Sequence, residues 1–122
     1  MDGFDVVIVG GAAMGSAAAY FLAAAADFDG RVLVLEQDPS YQRCATTLSV
    51  ASIRHQFSTP ENIRMSMFGS AFVADIGTHL SVDGQLPDIG WHEAGYLFLA
   101  SAAGLPVLQA NHATQRAEGA QV

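Results

Sequence analysis

The chain has 122 residues, 51% of them hydrophobic, enough to bury one modest core and too many for a disordered polymer. Its formal net charge is −7, and its five basic residues, all arginines, are scattered along the chain; nothing there neutralises a run of phosphates, which excludes a nucleic-acid partner. The longest apolar run, Ala17–Ala26, is half a membrane span at most.

Asp2 and Asp5 stand where a signal peptide carries positive charge, and the first basic residue is Arg31. Cys44 is a lone cysteine without an internal disulfide partner. Both features predict a soluble, cytoplasmic protein of a reducing compartment.

In chain order, Val6–Val9 is a continuous apolar run of the length of a parallel strand covered on both faces. Residues 12 to about 26 are rich in alanine, the best helix former, with Tyr20, Phe21 and Leu22 for packing. A turn at 27–30 leads into a second buried-strand pattern, Arg31–Leu35. Residues 5–36 therefore predict one βαβ unit with a right-handed crossover.

The glycines of that unit, Gly10, Gly11 and Gly15, sit where the strand turns into the helix. Such a turn offers backbone N–H groups and a helix N-terminus to a pyrophosphate. In the pattern GxGxxG the first glycine makes the tight turn and the last allows helix and strand to pack closely, but the middle position is taken by Ala12. Ala12 is compatible with a nucleotide if its φ is negative and its methyl points away; Gly11 beside it keeps some freedom.

Glu36 lies 21 positions after Gly15, the spacing at which an acid at a strand end accepts both ribose hydroxyls and repels a 2′-phosphate. An acid there also serves simply to cap the following turn. The residues themselves thus predict a dinucleotide site and leave NAD and FAD both open.

Residues 37–57 carry few helix or strand signals and many small or hydroxyl side chains, which allow close backbone approach to a ligand. Ser58-Thr59-Pro60-Glu61 reads as a capping box with proline in the first turn. It predicts a helix to about Leu80 with Met65, Phe68, Phe72, Ile76 and Leu80 on one face. Residues 81–90 are turn-rich; two short strands flanking Glu93-Ala94-Gly95, the second being Tyr96–Ala100, predict an antiparallel hairpin. A last helix is expected over Leu105–Glu118, opening with Pro106. His79, His92 and His112 show no metal spacing, and Cys44 has no partner for nucleophilic catalysis.

The stretch Asp38-Pro39-Ser40-Tyr41 and then Thr46 through Asn62, with Ser52-Ile53-Arg54-His55-Gln56-Phe57 at its centre, resembles the second flavin-contacting stretch of the FAD-dependent amine and D-amino-acid oxidoreductase superfamily. That group includes glycine and sarcosine oxidases and dimethylglycine dehydrogenases. The resemblance covers nearly the whole chain, and Gly95-Tyr96-Leu97-Phe98-Leu99 is similar to a strand of that family's substrate domain.

The resemblance implies an α/β fold in which a Rossmann-like βαβ FAD-binding unit with parallel strands is followed by the start of an antiparallel substrate-domain sheet. Residues 1–80 would belong to the FAD-binding domain and 81–122 to the substrate domain. It implies that Gly10, Gly11, Ala12, Met14 and Gly15 line the pyrophosphate, that Glu36 and Gln37 hold the adenosine ribose, and that Ala45, Thr46 and Thr47 lie near the phosphates. Ala51, Ser52 and Ile53 would approach the flavin ring. Arg54 would hold a substrate carboxylate or stabilise charge on the reduced flavin, against the alternative that it pairs with a carboxylate of the fold. His55 would tune the flavin, against the alternative of a hydrogen-bonded structural histidine.

The reaction so implied is hydride transfer from the α C–H of a small neutral amine or amino acid to FAD, then imine hydrolysis, with oxygen or a carrier protein as electron acceptor. Family members are several times longer than this chain, so the reading predicts an incomplete fold with open strand edges, inactive alone and able to oligomerise. An NAD-binding module of a dehydrogenase and a non-enzymatic truncated remnant are the alternatives.

Overall fold

A computed structural model describes residues 3–122; Asp2, used above in the reading of the N-terminus, lies outside the described residues. The chain divides into two compact units, one running to Ser52 and the other covering Ile53–Val122.

In the first unit β1 (Val6–Val9), α1 (Ala13–Ala24) and β2 (Val32–Leu35) form the expected strand–helix–strand order. β1 and β2 pair in parallel, with Val6 opposite Val32 and Val9 opposite Leu35. The Gly10 N–H carries the ladder one residue further, to the Leu35 carbonyl at 2.7 Å. At the other end the Asp5 carboxylate accepts the Arg31 N–H at 2.7 Å, which fixes where β2 begins.

The strands are not covered on both faces as their continuous apolar runs predict. Alternate residues of β1 are half-buried and exposed, with Val7 52% and Val9 85% exposed. α1 packs on β1 and β2, and one crossover helix covers one face of a sheet.

In the second unit α2 (Pro60–Ala74), α3 (Ile76–Leu80) and α4 (Leu105–Ala117) pack with α2 against both of the others. Pro60 starts α2 where expected, but the capping box does not form. Thr59, one residue beyond the expected Ser58, is the N-cap and makes no side-chain cap bond; this places Glu61 at the second helical position instead of the third that a capping box needs, and its carboxylate pairs with Arg64 at 3.3 Å. The single helix expected to Leu80 is interrupted at Asp75, whose φ of −107° and ψ of 29° leave the helical region.

Ile63 and Ala120 are the buried apolar residues among those described, and Gln115 is buried with them. The apolar stripe read from periodicity is largely uncovered, with Met65 64% and Phe68 59% exposed. Periodicity marks a stripe, but burial needs an element packed upon it, and in this unit α2 has only α3 and α4. α4 ends in a Schellman closure, Ala120 N–H to Gln115 O at 3.0 Å and Gly119 N–H to Arg116 O at 3.1 Å.

The antiparallel hairpin is absent. Residues 86–100 form no strand, and the antiparallel pairing near this region is an isolated bridge between Val82 and Gln85. A strand needs a ladder partner, and a two-stranded ribbon without a covered face is marginal in water.

Candidate functional site

The turn from β1 into α1 is built by two backbone constraints. Gly10 has φ +98°, a conformation open to glycine and costly for residues with a β-carbon. A β-carbon at Gly15 would meet the Gly10 carbonyl oxygen at 1.8 Å, so the helix can approach the turn only because residue 15 has none. The first helical bond then runs from the Ser16 N–H to Ala12 O at 2.9 Å, and the Ser16 hydroxyl donates to Gly11 O.

Ala12, the departure from the glycine pattern, meets the condition set for it. Its φ is −69° in extended backbone, where it serves as the N-cap of α1. No side chain caps the helix, and its first turn carries no acid. The N–H groups of the first turn have no intrahelical acceptors, so they and the positive end of the helix dipole are available to an anion.

Glu36 closes the other side of the turn. Its Oε2 accepts the Gly11 N–H at 2.7 Å and its Oε1 accepts the Asp38 N–H at 2.8 Å. These bonds hold its carboxyl below the ordinary glutamate range, Asp38 contributing most and Gly11 next. Each carboxylate oxygen has two acceptor positions, so the bonds to Gly11 and Asp38 leave acceptor capacity for a ribose hydroxyl.

Gly10, Ala12, Glu36 and Gln37 line one cleft of about 570 Å³ at the end of β1 and β2. Gly11 is buried beneath it and Met14, 86% exposed, stands on the first turn of α1. The cleft also takes in Tyr41, Arg43 and Cys44, which the sequence reading did not assign to it. The signal lay in the Asp38-Pro39-Ser40 turn: Ser40 donates from its N–H and hydroxyl to Asp38 Oδ1, at 3.0 and 2.6 Å, and Tyr41 N–H reaches Asp38 O. That turn folds residues 41–44 back toward the strand ends and brings a positive charge, Arg43, to the cleft. The Thr47 hydroxyl, 3.1 Å from Cys44 Sγ, draws the thiol below its ordinary range.

Ala45, Thr46, Thr47, Ala51 and Ser52 are exposed in the same unit and are not among the cleft residues. Ile53, Arg54 and His55 belong to the second unit. There His55 Nε2 and Ser70 Oγ are hydrogen-bonded at 2.7 Å. Arg54 is exposed and makes no ion pair with the acids of the described residues; the two ion pairs formed both belong to Arg64.

A sequence model of the FAD dependent oxidoreductase family matches residues 5–122. The chain belongs to this family. It is 47% identical over 121 residues to FAD-dependent oxidoreductase domain-containing protein 1 of Xenopus laevis, an alignment covering 97% of this chain and 24% of that protein. Similarity to the protein of that name from Bos taurus is 44% over 121 residues, covering 97% of this chain and 25% of that one. The Drosophila melanogaster homolog is 35% identical over 117 residues, covering 96% of this chain and 22% of the fly protein. The chain thus spans about a quarter of the length of these curated relatives. No solved structure matches it.

The family's cofactor is FAD, and the residues present fit its nucleotide half. The N-terminus of α1 is uncapped, the residue at the middle glycine position has the required negative φ, and the Glu36 carboxylate, held by Gly11 and Asp38, retains acceptor capacity. Among the described residues no helix is long and apolar enough to cross a membrane.

Proposed function

We propose that this chain supplies the nucleotide-holding part of an FAD-dependent oxidoreductase that oxidises a small amine or amino acid of the sarcosine, glycine, dimethylglycine or D-amino-acid type. The observation that carries the reading is the joint placement of an uncapped helix N-terminus and Glu36 around one cleft. In it, the first-turn N–H groups and the α1 dipole bind the pyrophosphate, while Glu36 and Gln37 orient the adenosine ribose. Thr46 and Thr47, outside the cleft lining, would add hydroxyl donors to the phosphates, and Ala51, Ser52 and Ile53 would bring small or apolar surface to the flavin ring.

When bound, FAD supplies the acceptor for a hydride from the substrate's α C–H. Arg54 holds the substrate carboxylate through its planar N–H fork. His55 has the weaker claim, since its bond to Ser70 gives it a structural task. Residues 1–80 are assigned to the FAD-binding domain and 81–122 to the start of a substrate domain, where residues 96–100 would be a strand of an antiparallel sheet. The electron acceptor would be oxygen or a carrier protein, and the lone Cys44 favours a reducing compartment such as the cytoplasm.

The test is expression of the complete protein. It should purify yellow with flavin absorbance, and sarcosine, glycine, dimethylglycine or a D-amino acid should bleach it anaerobically. A colourless protein that takes up no FAD sinks the proposal, and a yellow one that none of these substrates reduces sinks its amine-oxidising part.

A further inference from the structure

Within the second unit, residues 54–57 are tied down at every position. The Ser66 hydroxyl donates to Arg54 O at 2.5 Å, and His55 is bonded to Ser70 at 2.7 Å. The Gln56 amide donates to Tyr96 O at 3.2 Å, and the buried Gln115 amide donates to Phe57 O at 3.0 Å. The Gln56 bond draws the segment containing Phe98 alongside. As a result the Arg54 guanidinium carbon lies 4.8 Å from the ring centroid of Phe57 and 5.6 Å from that of Phe98.

Two aromatic rings hold a cation differently from an acid. The ring quadrupole attracts the guanidinium, but a hydrocarbon ring is no strong hydrogen-bond acceptor, so the five N–H donors of the fork stay available. A carboxylate partner within the fold would occupy two of them in a bidentate pair. Arg54 has the rings and no such carboxylate among the described residues, an arrangement that places the charge while reserving its donors for an external planar anion.

We propose that Phe57 and Phe98 are positioning residues that hold the Arg54 guanidinium ready for a carboxylate-bearing ligand. This rests on the reading of Arg54 given under Proposed function and adds the residues that set its geometry. Phe98 is 42% exposed, so replacing it by leucine removes the ring face at modest cost to packing.

The experiment titrates acetate into the complete, FAD-loaded protein by calorimetry and compares wild type with Phe98→Leu, Phe57→Leu, Phe98→Tyr and Arg54→Gln. Leucine keeps apolar bulk and removes the π face; tyrosine restores the face. Acetate affinity should fall about two- to tenfold in each leucine variant, return toward wild type in Phe98→Tyr, and vanish in Arg54→Gln, with FAD content unchanged throughout. Wild-type affinity in both leucine variants, with Arg54→Gln still inactive toward acetate, overturns the positioning role and leaves Arg54 as the anion ligand. Unchanged affinity in Arg54→Gln, or a wild type that binds no acetate, overturns both. Loss of affinity in Phe98→Leu that tyrosine does not restore overturns the ring-face explanation.

Discussion

A β-carbon on residue 15 would lie 1.8 Å from the carbonyl oxygen of Gly10. The obstructing atom is backbone, so it cannot swing aside as a flexible side chain would. Gly15→Ala in the complete protein should cost about 1–3 kcal/mol of stability and lower FAD retention, because relief requires moving α1 away from the turn. Urea denaturation and flavin content check this; a variant matching wild type in both contradicts the packing described.

Ala12 occupies an N-cap position without a side-chain acceptor. Ala12→Asp should cap α1 and stabilise the cofactor-free protein by about 1 kcal/mol, while its negative charge, at the place offered to the pyrophosphate, weakens FAD binding. The two effects have opposite signs. Thermal melts without FAD, set beside FAD titrations, separate them; tighter FAD binding in the variant would count against the pyrophosphate site.

Glu36 is held ionised by the Asp38 and Gly11 N–H groups. A pKa lowered by folding contributes stability that is fully present above the unfolded value, about 4.3, and is lost as pH falls through the folded value. Glu36→Gln should therefore be less stable than wild type at pH 7, and the gap should close as the pH is taken below about 4. Paired melting curves at several pH values read this directly, and a gap that widens in acid would refute it.

Gln115 is 6% exposed and donates to Phe57 O at 3.0 Å. Gln115→Leu keeps the volume and removes the donor, so it should cost about 1–3 kcal/mol in chemical denaturation. Equal stability would mean that the Phe57 carbonyl finds another donor.

Cys44 lines the nucleotide cleft, and its thiol is drawn below the ordinary range chiefly by the Thr47 hydroxyl. Thr47→Val should raise that pKa and slow alkylation by iodoacetamide near neutral pH. Saturating FAD should slow it in wild type as well. Alkylation rates indifferent to FAD would place the cofactor elsewhere.

Much of the first unit was legible because its signals are local. The apolar runs of β1 and β2, the alanine-rich helix and the spacing of Gly10, Gly15 and Glu36 each depend on neighbours close in sequence, and they recur in the structure at nearly the predicted bounds. Pro60 and Pro106 likewise marked the starts of α2 and α4. Burial was not legible. Met65 and Phe68 share one face of a helix by their spacing, yet whether that face is covered depends on what lies opposite, and both are exposed; the expected strand at residues 96–100 likewise forms no ladder among the described residues.

By itself, then, the amino-acid order determined that a strand, a glycine turn and a helix would present backbone N–H groups to a nucleotide, because φ restrictions and helix propensity act residue by residue. Only the tertiary structure decided how those groups are used. It gave Ala12 a negative φ at an uncapped helix start, bound the Glu36 carboxylate to Gly11 and Asp38, and folded Arg43 and Cys44 toward the cleft. It also set Phe57 and Phe98 against Arg54. Phe98 and Arg54 are far apart in sequence, and no periodicity encodes a contact made by a hydrogen bond from Gln56 to a distant carbonyl.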